Sequence, residues 1–460
     1  MLPDQRDDIV ALSTPPGKGA IAVIRLSGNA CHRVAGSCIH PADSLARAEP
    51  SKQYLIKIVD PQNKVIIDHA LVSKRIAPKS YTGQDMVEFN VHGGNAVVAR
   101  VLSILIEAGA RQAEPGEFTL RAFLNRKMDL VQAEAVSQLI SAESTAQLLC
   151  AQQIYTGSFS TRISNLYTKL LNIVSELEAF IEFPDEHLLE IPPSRLLEAI
   201  TPIIAQIETL CGSYQIGKIV MEGAKVVIAG RPNAGKSSLF NFLAGENRAI
   251  VTDEAGTTRD SIDCRLGWDG FEILLTDTAG LRADGGTIEM LGVARTRKLI
   301  NEADAVIYVI DGSEQFTKED IEESVSLKGK MIAVINKSDL NHAFTEAEFL
   351  IAAPDTPTIC CSIINGDGVE FLKNQVLHLL DLNNSDPSNR AIVTNARHHS
   401  LLKKSMNFLL SSKATLESGQ SVDIAADDLN RSISALGMII GRDVPEEMIE
   451  NVFSRFCIGK

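Results

Sequence analysis

The chain has 460 residues, 45% of them apolar, which suits two to four globular domains and excludes a disordered or fibrous protein. Its 44 Lys and Arg stand against 58 Asp and Glu, a net charge of −14, so any RNA contact must be a local basic patch or a partner must supply the charge. No run of about 18 uncharged apolar residues predicts a membrane span, and the acidic start Met1–Asp8 lacks the basic-then-apolar order of a signal peptide.

Residues 1–125 alternate short β-like runs with turns. Ala20–Leu26 follows the turn Pro15-Pro16-Gly17-Lys18-Gly19, and Met86–Val91 precedes His92-Gly93-Gly94, which reads equally as an anion loop or a plain turn. Val97, Val98, Val101, Leu102, Leu105 and Ile106 recur at spacings of three and four, predicting a helix. The composition of this region is α+β. Residues 126–222 turn helical, with Leu130, Ala133, Val136, Leu139 and Ile140 on one face and Leu166, Leu170, Ile173, Leu177 and Phe180 on another. Phe183-Pro184-Asp185 should break that run.

Residues 223–382 alternate strands and helices. Lys225–Ala229, Phe271–Thr276, Ala305–Ile310, Met331–Ile335 and Thr358–Cys361 are short runs rich in β-branched residues, as expected of a largely parallel sheet covered on both faces. Cys360-Cys361 reads as a buried strand end. Residues 383–460 read as helical to Lys460. The eight cysteines form no C-x-x-C pair, and neither zinc ligation nor a disulfide framework follows from their spacing; a reducing cytosol fits best.

Three motifs in the α/β region carry chemistry. Gly230-Arg231-Pro232-Asn233-Ala234-Gly235-Lys236-Ser237 follows a strand and opens a helix at Ser238, the context of a phosphate-binding loop. Its glycines let backbone N–H groups turn inward around phosphate oxygens, Lys236 places a point charge on the β- and γ-phosphates, and the Ser237 hydroxyl suits Mg²⁺. Asp277-Thr278-Ala279-Gly280 ends a second strand: the aspartate suits the outer Mg²⁺ shell, and the glycine N–H can sense a γ-phosphate. Asn336-Lys337-Ser338-Asp339 ends a third. The Asp339 carboxylate can accept from guanine N1–H and its 2-amino group, which adenine does not offer in that arrangement. A further guanine motif is weak; Ser362-Ile363-Ile364 occupies its place.

Leu281 follows Asp277-x-x-Gly280 where many GTPases carry a water-orienting glutamine, so another group must do that work. Glu289 and Asn233 are the candidates, Asn233 through an amide oxygen offered to a monovalent cation; the alternative is that both are solvated loop residues. Val251–Asp260 reads as a switch in which Thr258 ligates Mg²⁺ when GTP orders the loop.

The phosphate loop, Gly256-Thr257-Thr258-Arg259-Asp260, Asp277-Thr278-Ala279-Gly280-Leu281-Arg282, Thr14-Pro15-Pro16-Gly17, Pro115-Gly116-Glu117-Phe118, Arg121–Asn125 and the terminal Phe456-Cys457-Ile458-Gly459-Lys460 together resemble the MnmE (TrmE) tRNA-modification GTPases over the whole chain. The resemblance implies a multidomain fold. It comprises an N-terminal α+β folate-binding and dimerisation domain (1–125), a split all-α domain (126–222 and 383–460) and an inserted α/β P-loop GTPase domain with a mostly parallel sheet (223–382). It implies GTP contacts from Asn233, Ala234, Gly235, Lys236, Ser237, Ser238, Thr252, Asp253, Glu254, Ala255, Gly256, Thr257, Thr258, Asp277, Thr278, Ala279, Gly280, Asn336, Lys337, Asp339 and Ser362. Ser237 and Thr258 would hold Mg²⁺. Asn233, Thr252, the Glu254 backbone and Thr257 would surround a K⁺ that replaces an arginine finger, and Glu289 aligns with the family's catalytic glutamate.

By the same resemblance Arg25, Glu88, Lys127 and Lys460 take a folate such as 5-formyltetrahydrofolate; read alone, each is a surface charge. Cys457, between Phe456 and Ile458, reads as packing, while the resemblance leaves a thiol facing the folate open. The implied protein is a cytoplasmic homodimer that works on the tRNA wobble uridine with the FAD-dependent partner MnmG (GidA), adding an aminomethyl or carboxymethylaminomethyl group at C5. Two rivals stand beside it: a ribosome-assembly GTPase that binds RNA, which would need a module such as a KH domain after residue 382, and a non-enzymatic GTP-dependent scaffold.

Overall fold

The structure, a computed structural model, describes residues 6–182, 192–246, 263–278, 296–383, 392–420, 422–442 and 444–460. The chain folds as two compact units: residues 1–137, 155–184 and 429–460 form one, and residues 138–154 and 185–428 the other.

The first unit is built on a seven-stranded sheet of β1 (Ile9–Leu12), β2 (Ile21–Ser27), β3 (Ile39–His40), β4 (Gln53–Val59), β5 (Ile66–Arg75), β6 (Met86–His92) and β7 (Arg111–Gln112). Its order is β3-β4-β5-β6-β2-β1-β7, antiparallel except where β1 and β7 run parallel. Period-two alternation decides which side is core. Ala22, Ile24 and Leu26 of β2 and Val87, Phe89 and Val91 of β6 point inward, where Val98, Val101, Ile104 and Leu105 of helix Asn95–Glu107 cover them. The opposite face carries Arg25 and Glu88, which pair directly across the two strands.

The end of the chain departs from the helical expectation. The last helix stops at Phe453, and Phe453 and Phe456 pack with Leu120, Leu130, Ala133 and Val136. Ile458 then forms an antiparallel bridge with Pro115, and the Ser13 hydroxyl donates to the Gly459 carbonyl at 3.0 Å. Backbone pairing to a strand-like segment, rather than a further helical turn, satisfies the tail's polar groups.

Beneath this tail lies an ion network. Arg121, 1% exposed, donates to the Glu117 carboxylate at 2.9 Å and to the Asp7 carbonyl at 2.7 Å. Arg111 also donates to Glu117, at 2.7 Å.

The second unit holds a six-stranded sheet of β8 (Ala224–Gly230), β9 (Asp263–Trp268), β10 (Phe271–Asp277), β11 (Ala305–Asp311), β12 (Met331–Asn336) and β13 (Thr358–Cys360), in the order β13-β12-β11-β8-β10-β9. All neighbours are parallel except the edge strand β9. The continuous apolar runs are explained by double-sided burial: every residue of β12 is buried. Helices Lys318–Ser326 and Glu346–Ala352 open with reciprocal capping boxes, Thr317 with Asp320 and Thr345 with Glu348. Cys361 is buried, as expected, but Cys360 is only half-buried. Among the described residues no helix is long and apolar enough to cross a membrane.

Burial works against the charged forms of Glu117 and Asp7, but the guanidinium groups of Arg111 and Arg121 outweigh it and hold both carboxyls below their ordinary values. Their stabilisation is therefore complete above the unfolded-state pKa near 4 and is lost as pH falls through the lower folded value. Arg121→Met, which strands Glu117 without one of its buried partners, should destabilise this unit by about 3–5 kcal/mol at neutral pH. The deficit should shrink in acid, as thermal unfolding at two pH values would measure.

Candidate functional site

The three sequence motifs meet at one edge of the second sheet. β8, β10 and β12 are parallel, so their C-terminal ends point the same way, and in such sheets ligands bind beyond those ends. β8 runs into the loop 231–235, which opens helix Lys236–Glu246. Gly235 has φ +102°, and a Cβ there would sit 2.2 Å from Asn336 Nδ2. Glycine is thus required both by backbone conformation and by space. Asn336, 4% exposed, uses that closeness: its Nδ2 donates to the Ala234 carbonyl at 2.8 Å. Asn233 takes the left-handed conformation, φ +62°, with its side chain exposed at the loop's crown.

Lys236 is buried and its ammonium donates to the Arg231 carbonyl at 2.6 Å, so the charge is folded back over the loop. The Ser237 hydroxyl donates to Asp277 Oδ2 at 3.0 Å across the gap between helix and β10. Two hard oxygens at this spacing, one on a carboxylate, suit Mg²⁺ better than any softer ion. Thr278 anchors the end of β10 by donating to the Ile228 carbonyl at 2.9 Å. Ser238 is exposed on the first turn of the helix.

The other half of the site lies beyond β12. Ser338 N–H donates to the Cys361 carbonyl at 3.0 Å, binding the Asn336–Asp339 turn to the end of β13. Asp339 is exposed, and the Ser362 hydroxyl donates to its Oδ1 at 2.6 Å. The weakest sequence motif thus falls on the carboxylate it ought to assist. Lys337, at φ +65°, forms an ion pair with Asp311 at the end of β11. Burial opposes the charge on Asp311, but Lys337 and Ser313 together hold its carboxyl below the ordinary range. Sequence reasoning missed Asp311; an aspartate ending a buried apolar strand, in register with Asn336, was the available signal.

Thr252, Asp253, Glu254, Ala255, Gly256, Thr257, Thr258, Ala279, Gly280, Leu281 and Glu289 lie outside the described residues.

In the first unit, Arg25 donates to Glu88 Oε1 from Nε at 3.1 Å and lies within 3.0 Å of it through Nη2. Its guanidinium also sits 5.2 Å from the Tyr81 ring centroid and 5.8 Å from that of Phe118, cation–π distances that hold its plane. Burial, with the Arg25 charge beside it, holds the Lys460 ammonium below the ordinary lysine range, against the pull of Cys457 and Glu88. Arg25, Glu88, Lys460 and Cys457 therefore form one electrostatic neighbourhood. Lys127 stands apart: its ammonium donates to the Pro78 carbonyl at 3.0 Å and makes no hydrogen bond or ion pair with the other three. The packing reading of Cys457 does not hold; it is Phe456 that is buried, while the Cys457 side chain is exposed.

Gly235→Ala should lower affinity for GDP roughly a hundredfold, since a strained backbone and a displaced Asn336 together cost about 3 kcal/mol. Titration with a fluorescent GDP would measure it.

Two family models match the chain: the MnmE helical domain over residues 130–457 and the GTP-binding protein TrmE N-terminus over residues 8–127. The tRNA modification GTPase MnmE of Carboxydothermus hydrogenoformans is 40% identical, over 99% of this chain and 99% of its own. That of Enterococcus faecalis is 38% identical, over 99% of this chain and 98% of its own. Among solved structures, the G domain of the T. maritima FeoB iron transporter covers 34% of this chain and 98% of its own at 27% identity, with a TM-score of 0.27, too low to bear on function. With two family models that between them span both ends of the sequence, and relatives alike along its whole length, this chain belongs to the MnmE family of tRNA modification GTPases.

Proposed function

We propose that the protein hydrolyses GTP at the β8 loop and uses that cycle to modify C5 of the wobble uridine in tRNA, together with the FAD-dependent partner MnmG (GidA). The observation that carries this reading is the meeting of Ser237, Asp277, Asn336, Asp339 and Ser362 at one sheet edge. In it, Asp339 reads guanine with Ser362 fixing its carboxylate, and Lys337, paired with Asp311, braces the base. Lys236 leaves the Arg231 carbonyl for the phosphates. Ser237 and Thr258 hold Mg²⁺, with Asp277 behind Ser237; when bound, the ion neutralises charge on the β- and γ-phosphates.

Leu281 cannot orient water, so Glu289 takes that task. Asn233, Thr252, the Glu254 carbonyl and Thr257 hold K⁺, which supplies positive charge where an arginine finger otherwise would. Asn233 already stands exposed at the loop's crown.

The Arg25–Glu88 pair and Lys460 take the folate that donates the one-carbon unit, the cations for its carboxylates and Glu88 for the pterin N–H groups. Lys127 contributes only if it leaves Pro78. Cys457, exposed and close in sequence to Lys460, would supply a thiol to the same site. The domain limits 1–125, 126–222, 223–382 and 383–460, a homodimer formed through the N-terminal domain and a cytoplasmic location complete the proposal.

Mass spectrometry of tRNA nucleosides tests it. Cells lacking the protein should lose the aminomethyl and carboxymethylaminomethyl wobble uridines. Wild type should restore them and Arg25→Ala should not; an unchanged nucleoside profile in the deletion strain would refute the proposal. For the cation, GTP turnover in K⁺ should exceed that in Na⁺ by at least about tenfold, or 1.4 kcal/mol in the barrier. Asn233→Ala should erase the difference, and equal wild-type rates in both salts would remove the K⁺ mechanism.

A further inference from the structure

A chain of net charge −14 that handles tRNA needs a local basic surface, and the charge is unevenly spread. From residue 392 to 416 the chain carries Arg397, Lys403, Lys404 and Lys413 and no Asp or Glu. Helix Ala396–Glu417 buries Leu401, Leu402, Ser405 and Leu409, and turns Ser400, Lys403, Lys404 and Asn407 to solvent. Neither Lys403 nor Lys404 forms an ion pair among the described residues.

Helix Tyr214–Glu222 comes unusually close to the segment that leads into helix Ala396–Glu417. A Cβ on Gly217 would lie 2.2 Å from the Val393 carbonyl oxygen, and Val393 N–H donates to the Ser213 hydroxyl at 3.1 Å. This approach sets Tyr214 flat on His399, ring centroids 4.0 Å apart and planes 12° apart. Gly217 meets Val393 just before helix Ala396–Glu417, and Tyr214 meets His399 on its first turn. Positive charge lies one helical turn from each ring: Lys218 after Tyr214, and Lys403 with Lys404 after His399. Lys218 has only an exposed Glu222 at 3.9 Å, too weak a pairing to occupy it. Burial and Lys403 hold the His399 imidazole below its ordinary value, so near neutrality it is an aromatic plane rather than a cation.

We infer that the Tyr214–His399 stack, with Lys218, Lys403 and Lys404 one helical turn away, is a docking surface for an unpaired segment of tRNA, its phosphates on the lysines and a base against the aromatic pair. The inference rests on the reading of tRNA as substrate. Lysines alone would serve an acidic protein as well. An aromatic stack near them is what single-stranded RNA recognition uses, because every base has a π-face.

The test is tRNA binding by the full-length protein across a salt series, with GTP turnover as the control. K403A/K404A should weaken binding about tenfold at moderate salt and reduce the slope of log affinity against log salt by about 2. GTP turnover should be unchanged, and K403R/K404R should bind like wild type. Tyr214→Leu, which keeps an apolar contact, should weaken binding without altering the slope. Wild-type affinity and slope in K403A/K404A would overturn the surface while leaving tRNA as substrate. So would loss of MnmG binding with tRNA affinity intact, which would assign the patch to an acidic protein face. Wild type that binds no tRNA, with or without MnmG, would overturn both readings.

Discussion

The second unit depends on one hydrogen bond, from Asn336 Nδ2 to the Ala234 carbonyl. It joins the turn after β12 to the loop after β8, elements more than a hundred residues apart in sequence, and it is buried, so water cannot replace it. Gly235 is the condition for it, because any side chain there would occupy the amide's place. The phosphate end and the base end are thus held as one object, and a ligand spanning both meets a site already at the right separation. Asp311 extends the same logic by fixing Lys337, and Ser362 by fixing Asp339.

Legibility in the sequence followed the range of the interactions. The strands of the second sheet stood out because double-sided burial leaves nearly unbroken apolar runs, and the motif ends stood out because a parallel sheet places them together. Asp311 stayed hidden because its partner is on another strand and nothing local marks it. The Ser362 contact was foreseen only weakly, since its flanking residues depart from the usual motif even though the geometry keeps the bond. The course of residues 454–460 departs from the helical expectation because its stabilising partners, Pro115 and Ser13, lie far from it in sequence. The same distance hid the neighbourhood of Arg25: Tyr81, Phe118 and Lys460 come to it from three separate segments.

Arg25 and Lys127 show how far a family resemblance carries without geometry. Both bear a charge that suits a folate carboxylate. Arg25 is held by Glu88, Tyr81 and Phe118, so its orientation is fixed before any ligand arrives. Lys127 is bound to the Pro78 carbonyl, and the free energy of leaving it would be subtracted from whatever it gains.

The bond between Ser13 and Gly459 spans 446 positions. A ribosome delivers the chain from its first residue onward, and closing so long a loop carries a large entropic cost early in synthesis. The nucleotide-binding sheet lies wholly within that span and can condense while the chain is still being made. The surroundings of Arg25 and Glu88 must wait for residues 456–460 to emerge, so a product truncated before them would carry a finished nucleotide sheet and an Arg25–Glu88 pair without Lys460 beside it.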